Sequence, residues 1–181
     1  MRYQHRLRVQ APVETVATFH RDPRAVRLLT PPPIVVQVHQ APPHINEGAQ
    51  MAFTLWLGPL PLRWQAEFTN VTAVSFCDVQ RRGPFRRWEH THSFVQASAD
   101  STDVLDTLEI ELRRHPIWGP VGWGMVRGLP LLFAYRGWRT RRLLQRPSHA
   151  AARGRDLLRL GLALGAAVLL ARRLCRTAGR R

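Results

Sequence analysis

The chain contains no lysine and only two cysteines in 181 residues. Cys77 and Cys175 stand nearly a hundred positions apart, which excludes a disulfide framework, a paired-cysteine redox motif and a thiolate zinc site. No G-x-S-x-G elbow, phosphate-binding loop or dinucleotide fingerprint occurs, so nucleophilic hydrolysis, nucleotide binding and hydride transfer have no motif behind them. The N-terminal stretch MRYQHRLRVQ lacks an apolar run of the kind a secretory signal needs, and the expected location of the folded body is the cytoplasm. Acidic residues are missing from one region only. Residues 1–112 hold 11 Arg and 11 acids, whereas residues 113–181 hold 16 Arg and the single acid Asp156, so the whole net charge of +15 sits in the C-terminal part. All 27 basic residues being Arg looks like a compositional bias rather than a design for one ligand, but a basic tail still attracts anionic surfaces.

What is present is a globular pattern. Tyr3, His5, Leu7 and Val9 alternate with polar residues and predict a strand over residues 2–10. Pro12 opens a helix whose apolar stripe is Val13, Val16, Ala17 and Phe19, and a short second helix follows over residues 23–28. Thr30-Pro31-Pro32-Pro33 forces an extended path into a strand over residues 34–39. Further alternating runs at residues 51–57, 62–71, 74–81, 86–97 and 102–114 are joined by Gly-, Pro- and Asp-containing turns. The predicted class is α+β, with an antiparallel sheet of about six strands joined mostly by hairpins. A long helix over residues 119–146 would cover it, with Pro130 expected to kink or restart it.

Residues 147–181 are different in kind. From Leu160 to Ala171 no charge or hydroxyl occurs, and an apolar tail helix is predicted there, flanked by Arg on both sides. Twelve residues rise roughly 18 Å, short of a hydrocarbon core of roughly 30 Å. Arg159, Arg172 and Arg173 can snorkel to the interfaces, and Gly161 and Gly165 give a spacing for close helix contact. Residues 157–171 thus read either as an inner-membrane anchor or as an oligomerising or loosely docked apolar helix.

Three local patterns, together with this element order, carry a resemblance. They are Phe19-His-Arg-Asp22-Pro23 running into Leu29-Thr30-Pro31-Pro32, then Pro61-Leu62-Arg63-Trp64, then Gly83-Pro84-Phe85-Arg86-Arg87-Trp88-Glu89-His90-Thr91-His92-Ser93-Phe94. Over residues 1–146 the chain resembles the SRPBCC superfamily, whose START-like and birch-pollen-allergen-like members have the helix-grip fold, and in particular its polyketide cyclase/dehydrase and coenzyme Q-binding-like members. The resemblance implies a curved antiparallel sheet around a long C-terminal helix, with a cavity between them for a hydrophobic small molecule. It implies no cofactor.

Alternation puts Trp88, His90, His92 and Phe94 on one face of their strand, and this aromatic set is expected on the concave side. Phe53 and Trp64 from neighbouring strands, and Met125, Leu129 and Phe133 from the covering helix, complete the expected ligand-binding set, with Leu132, Trp118 and Trp123 as further lid residues. Each of these side chains also has an ordinary role open to it in core packing. His90-x-His92 has the spacing of two metal ligands on a strand, but a third ligand is wanting, with His44 and His115 mere guesses, and no metal site is assigned.

Three functions follow as expectations. The first is a non-catalytic binding protein for a lipid, isoprenoid quinone or polyketide-like molecule, near an anionic membrane surface contacted through the Arg-rich tail. The second is a cyclase/dehydrase-type enzyme using His90 or His92 with a carboxylate from among Glu67, Glu89, Asp106 and Glu109. The third is a membrane-tethered interaction module without a small ligand. Nucleic-acid binding lacks the aromatics that should interleave a basic stretch, since none follows Trp138.

Overall fold

A computed structural model of the chain describes residues 1–145. The elements run β1 (Arg2–Val9), α1 (Val13–His20), α2 (Ala25–Leu28), β2 (Val35–Gln40), β3 (Gln50–Leu57), β4 (Leu60–Thr69), β5 (Ser75–Arg82), β6 (Arg87–Ser98), β7 (Ser101–Glu111) and α3 (Trp118–Leu144). Every alternating run of the sequence forms a strand, and the seven strands make one curved antiparallel sheet in the order β1-β7-β6-β5-β4-β3-β2. The chain enters at β1, crosses by the two short helices to the far edge at β2, and returns by hairpins until β7 pairs with β1.

The alternation decides which face is buried. Along β6 the side chains of Trp88, His90, His92 and Phe94 are buried and those of Arg87 and Thr91 exposed, and along the same face of β7 Thr102, Val104, Asp106, Leu108 and Ile110 are buried. The outer face carries the ion pairs. Arg6 and Arg8 clasp Asp103 at 2.6 and 2.8 Å, Arg81 holds Glu67 at 2.9 Å, and Arg87 reaches Glu89 at 2.9 Å and Glu109 at 3.1 Å. Three of the carboxylates nominated as catalytic partners, Glu67, Glu89 and Glu109, are therefore engaged by arginines on that face.

One turn and the covering helix differ from expectation. The β3–β4 hairpin closes at Gly58-Pro59, with Leu57 facing Leu60 and Gly58 at φ +58°, so β4 starts two residues earlier than the turn-forming run Gly58 to Pro61 suggests. Pro61 is tolerated inside β4 because β5 pairs with that strand only from Gln65 onward. Helix α3 runs through Pro130 as one element, with no restart. Losing one backbone hydrogen bond there is outweighed by the burial of Leu129 and Phe133 on either side, each 2% exposed. The tail helix expected over residues 147–181, and Arg146, lie outside the described residues; among those described, no helix is long and apolar enough to cross a membrane.

Helix α3 grips the sheet most closely at two glycines, and between them Leu129 and Phe133 are buried. Near its start Gly122 lies against Leu112 and Phe85, where a Cβ would be 3.0 Å from Leu112 Cδ2 and 3.3 Å from the Phe85 ring. Near its end Gly137 lies against Leu7, with 3.2 Å left for a Cβ. At Gly124 and Gly128 a Cβ would meet nothing within 4 Å.

Candidate functional site

Between those two grips is an open-mouthed cavity of about 510 Å³, bordered by the concave face of β3–β6, the α2 region and α3. Most of its wall is apolar: Phe53, Trp64, Phe68, Phe76 and Trp88 from the sheet, and Val121, Met125, Leu129 and Leu132 from α3 at helical spacing. Trp64 is the pivot of the sheet side, stacked on Phe53 at 6.0 Å and meeting Trp88 edge-on at 5.2 Å. Phe85 closes that end of the core, stacked on Trp88 at 4.9 Å and fully buried.

Of the side chains expected to line the cavity, Phe53, Trp64, Trp88, His90, His92, Met125, Leu129 and Leu132 do so. Phe94 and Phe133 are buried behind it. Phe94 packs on Phe76 and the His20 ring, and Phe133 lies against Tyr3, His5 and the edge of His90. Trp123 points outward, 53% exposed beneath the Arg127 guanidinium, and Trp118 is not part of the wall. Both corrections come from helix phase, which fixes which side of α3 meets the sheet and is hard to place in a helix with apolar residues on several sides.

Besides His20, Asp22, Thr30 and Arg136, the wall carries a polar cluster that strand register builds. Across the concave face His5 of β1 is opposite Asp106 of β7, Asp106 is opposite His92 of β6, and His90 is opposite Asp78 of β5. Directly opposite residues in an antiparallel sheet lie about 5 Å apart, so five ionisable side chains are delivered to one region. The two imidazoles stack at 3.8 Å between centroids, with a carboxylate on each side. On the deep side, His90 Nε2 donates to Asp106 Oδ1 at 2.9 Å. His92 Nδ1 lies equally close to the same oxygen, though off the line of a directed bond. On the cavity side, Asp78 Oδ2 stands 3.3 Å from His90 Nδ1 and 3.5 Å from His92 Nε2, and the Trp88 indole N–H donates to Asp78 Oδ1 at 3.3 Å.

Burial opposes ionisation of both carboxyl groups, but their contacts with the histidines outweigh it and hold Asp78 and Asp106 well below the usual carboxylate range. The same burial acts against a charged His90, and the hydrogen bonds to Asp106 and Asp78 overcome it, so its affinity for a proton is raised. His20, at the end of α1, borders the same cavity and behaves oppositely. Burial lowers its pKa to about 4, only partly offset by its bond to the Val16 carbonyl, so it is neutral at pH 7 and donates from Nδ1 to Val16 O at 2.9 Å. His44 and His115 are both exposed and lie outside this cluster, His115 accepting the first backbone N–H groups of α3 instead.

The sequence reading names Asp106 among several carboxylates and does not reach Asp78, His5 or His20. A signal was there for one of them: Asp106 shares the inward phase of Val104, Leu108 and Ile110 and is a lone charge on that face, whereas Asp78 shares its phase with Phe76 but also with Gln80 and Arg82.

Neither protein-family models nor curated protein sequences match the chain. Solved structures do. A START superfamily protein from Mycobacterium smegmatis superposes with a TM-score of 0.59 at 17% identity, covering 78% of this chain and 98% of that one. An aromatase/cyclase from a Streptomyces species gives 0.58 at 15% identity over 79% and 95% of the two chains. Norcoclaurine synthase from Thalictrum flavum, in complex with dopamine and hydroxybenzaldehyde, gives 0.57 at 17% identity over 79% and 85%. At such identities these likenesses establish the fold: residues 1–145 form the helix-grip fold of the START-like SRPBCC proteins.

Proposed function

We propose that the chain is a binding protein for a hydrophobic small molecule carrying an oxygen function, of the lipid, isoprenoid quinone or polyketide-like type. Its apolar body would lie against Trp64, Trp88, Phe53, Met125 and Leu129, and its oxygen would meet the His90–His92 cluster. The carrying observation is the cavity itself. Its volume of about 510 Å³ falls within the roughly 300–1,000 Å³ usual for small-molecule sites, and its wall is apolar with one convergent polar group. Native mass spectrometry of protein purified from its own host should reveal a bound lipid-like molecule, and an environment-sensitive fatty-acyl probe should enter emptied protein and quench Trp64 and Trp88. A protein that takes up no apolar probe would end this reading.

Its place of work is the surface of an anionic membrane. Between residues 113 and 145 there are seven Arg and no acid. The outer face of α3 also displays Trp123, Leu131 and Trp138 at 53%, 76% and 50% exposure, with Arg127 over Trp123 and both Arg139 and Arg142 over Trp138. Aromatic and basic side chains in that mixture suit the headgroup region. Phosphatidylglycerol vesicles should retain the protein and phosphatidylcholine vesicles should not; equal retention would refute the assignment.

One observation favours a second reading. Two histidines contacting two carboxylates in the wall of a ligand cavity are equipped for proton transfer, with His90 as acid and Asp106 orienting it, as a cyclase/dehydrase-type reaction requires. Turnover of a poly-β-ketone mimic that is abolished in Asp106→Asn, with probe uptake preserved, would establish the enzyme.

A further inference from the structure

We infer that Asp78, His90 and His92 form a binding site for one divalent first-row transition ion, with Zn²⁺ the best fit, opening onto the cavity. The inference does not depend on which organic molecule fills that cavity. It starts from the placement of the ring nitrogens. Asp106 Oδ1 accepts from His90 Nε2 at 2.9 Å and stands at 2.9 Å from His92 Nδ1, so each imidazole has its deep nitrogen turned to that carboxylate. The other nitrogen of each ring, His90 Nδ1 and His92 Nε2, is on the cavity side. Both face Asp78 Oδ2, at 3.3 and 3.5 Å.

Without a metal, a proton on His90 Nδ1 can bridge to Asp78; a divalent ion that displaces it gains both ring nitrogens and one carboxylate oxygen, and offsets the charge of Asp78 and Asp106. The spacing suits a metal. Ligand atoms about 2.1 Å from one tetrahedral ion are separated by about 3.4 Å. One donor atom from each of the three residues lies within 4.8 Å of the other two. The supporting contacts are those that metal sites use: a carboxylate behind the histidines and a hydrogen bond on the ligating carboxylate, here from Trp88 Nε1 to Asp78 Oδ1 at 3.3 Å. Two nitrogens and one carboxylate oxygen suit Zn²⁺ or Fe²⁺ rather than Ca²⁺ or Mg²⁺. All three residues border the cavity, so the remaining coordination positions are open to a ligand oxygen.

The earlier obstacle falls away. The third ligand missing from His90-x-His92 is supplied by β5, through the cross-strand pair Asp78–His90. Asp106, which comes from β7, acts as a positioning residue.

The test is titration of chelator-treated protein with Zn²⁺ against a chromogenic competitor, without any organic ligand, and with Co²⁺ as a spectroscopic substitute. The expected result is one equivalent bound, with visible Co²⁺ bands of a four- or five-coordinate site. Asp78→Asn should weaken Zn²⁺ binding by more than about 100-fold, and Asp106→Asn by about 10- to 100-fold with shifted Co²⁺ bands. His44→Ala/His115→Ala should bind as the unaltered protein does. Binding that survives Asp78→Asn, or is lost with His44 and His115, would overturn the site. If a variant does not fold, imidazole ¹⁵N resonances of the unaltered protein decide. Zn²⁺ should move His90 Nδ1 and His92 Nε2 at one equivalent, and unmoved resonances there would refute the proposal whatever the cavity is found to hold.

Discussion

The glycines of α3 allow the cavity to be tested by a change that should raise stability. Glycine in a helix interior costs about 1 kcal/mol relative to alanine, and a new methyl group recovers that amount only where it has room. At Gly124 and Gly128 nothing lies within 4 Å of a Cβ, so Gly124→Ala/Gly128→Ala should gain about 2 kcal/mol. For a chain of this size that raises Tm by about 4–8 °C. Gly122→Ala on the same helix has the opposite expectation. Its methyl would press on Leu112 Cδ2 at 3.0 Å and on the buried Phe85 ring at 3.3 Å. Overpacking of about 1–3 kcal/mol then exceeds the propensity gain, leaving a loss of about 1 kcal/mol. Thermal and urea unfolding followed by circular dichroism measure all three proteins. A larger side chain at the open position, Gly128→Leu, should hold or raise Tm while weakening uptake of the fatty-acyl probe at least tenfold. Should Gly128→Leu bind the probe as before, the space beside α3 is not the binding cavity.

His20 supplies a pH prediction. It faces His92, Asp106 and Arg136, and its pKa falls from 6.5 to about 4 in the fold, so the unfolded chain takes up the proton more readily. Its contribution is therefore fully present above about pH 6.5 and is lost as pH falls toward 4, a difference of about 3 kcal/mol. His20→Asn, which can still donate to Val16 O, should flatten the stability curve between those pH values; superimposable slopes would refute the assignment. Asp103, gripped by Arg6 and Arg8, is held well below the usual carboxylate range chiefly by those hydrogen bonds. Its stabilisation is present above about pH 4 and lost below it, so Asp103→Asn should move the acid-unfolding midpoint to higher pH, and an unshifted midpoint would count against the pairing. Phe85→Ala removes the fully buried ring that stacks on Trp88, at a cost of about 3–5 kcal/mol by chemical denaturation, and a loss under 1 kcal/mol would mean that this end of the core is not packed as described.

Strands and their inward faces were legible in the sequence because period-two alternation is a local property. Trp88, His90, His92 and Phe94 could be placed on one face from β6 alone. Which of them reaches the cavity is not local. Phe94 is covered by Phe76 and His20, side chains 18 and 74 positions away, and only the folded arrangement brings them together. The partners of the histidines were hidden for the same reason. Asp78 and Asp106 meet them through the registers of β5 with β6 and β6 with β7, and a shift of one residue in either pairing would turn the carboxylate to the outer face. Pro61 misled in the other direction: its composition marks a turn, whereas the early end of β5 leaves its position free of a second neighbour.

Two costs in stability fall on the same few ångströms of this fold, and their coincidence is the strongest argument about what the fold is for. Burying two carboxylates and two imidazoles on a concave face is at best neutral beside packing apolar residues there, because desolvation consumes most of the Coulombic gain. Leu, Val or Phe at positions 78, 90, 92 and 106 would continue the surface that Phe76, Phe94, Val104 and Leu108 already form. Glycine at 124 and 128 likewise forgoes helix stability that alanine would supply without a clash. A sequence shaped by packing alone has no use for either. A binding site has a use for both, since Gly124 and Gly128, exposed at the border of the cavity, leave its edge unobstructed, while the Asp–His cluster supplies a polar wall.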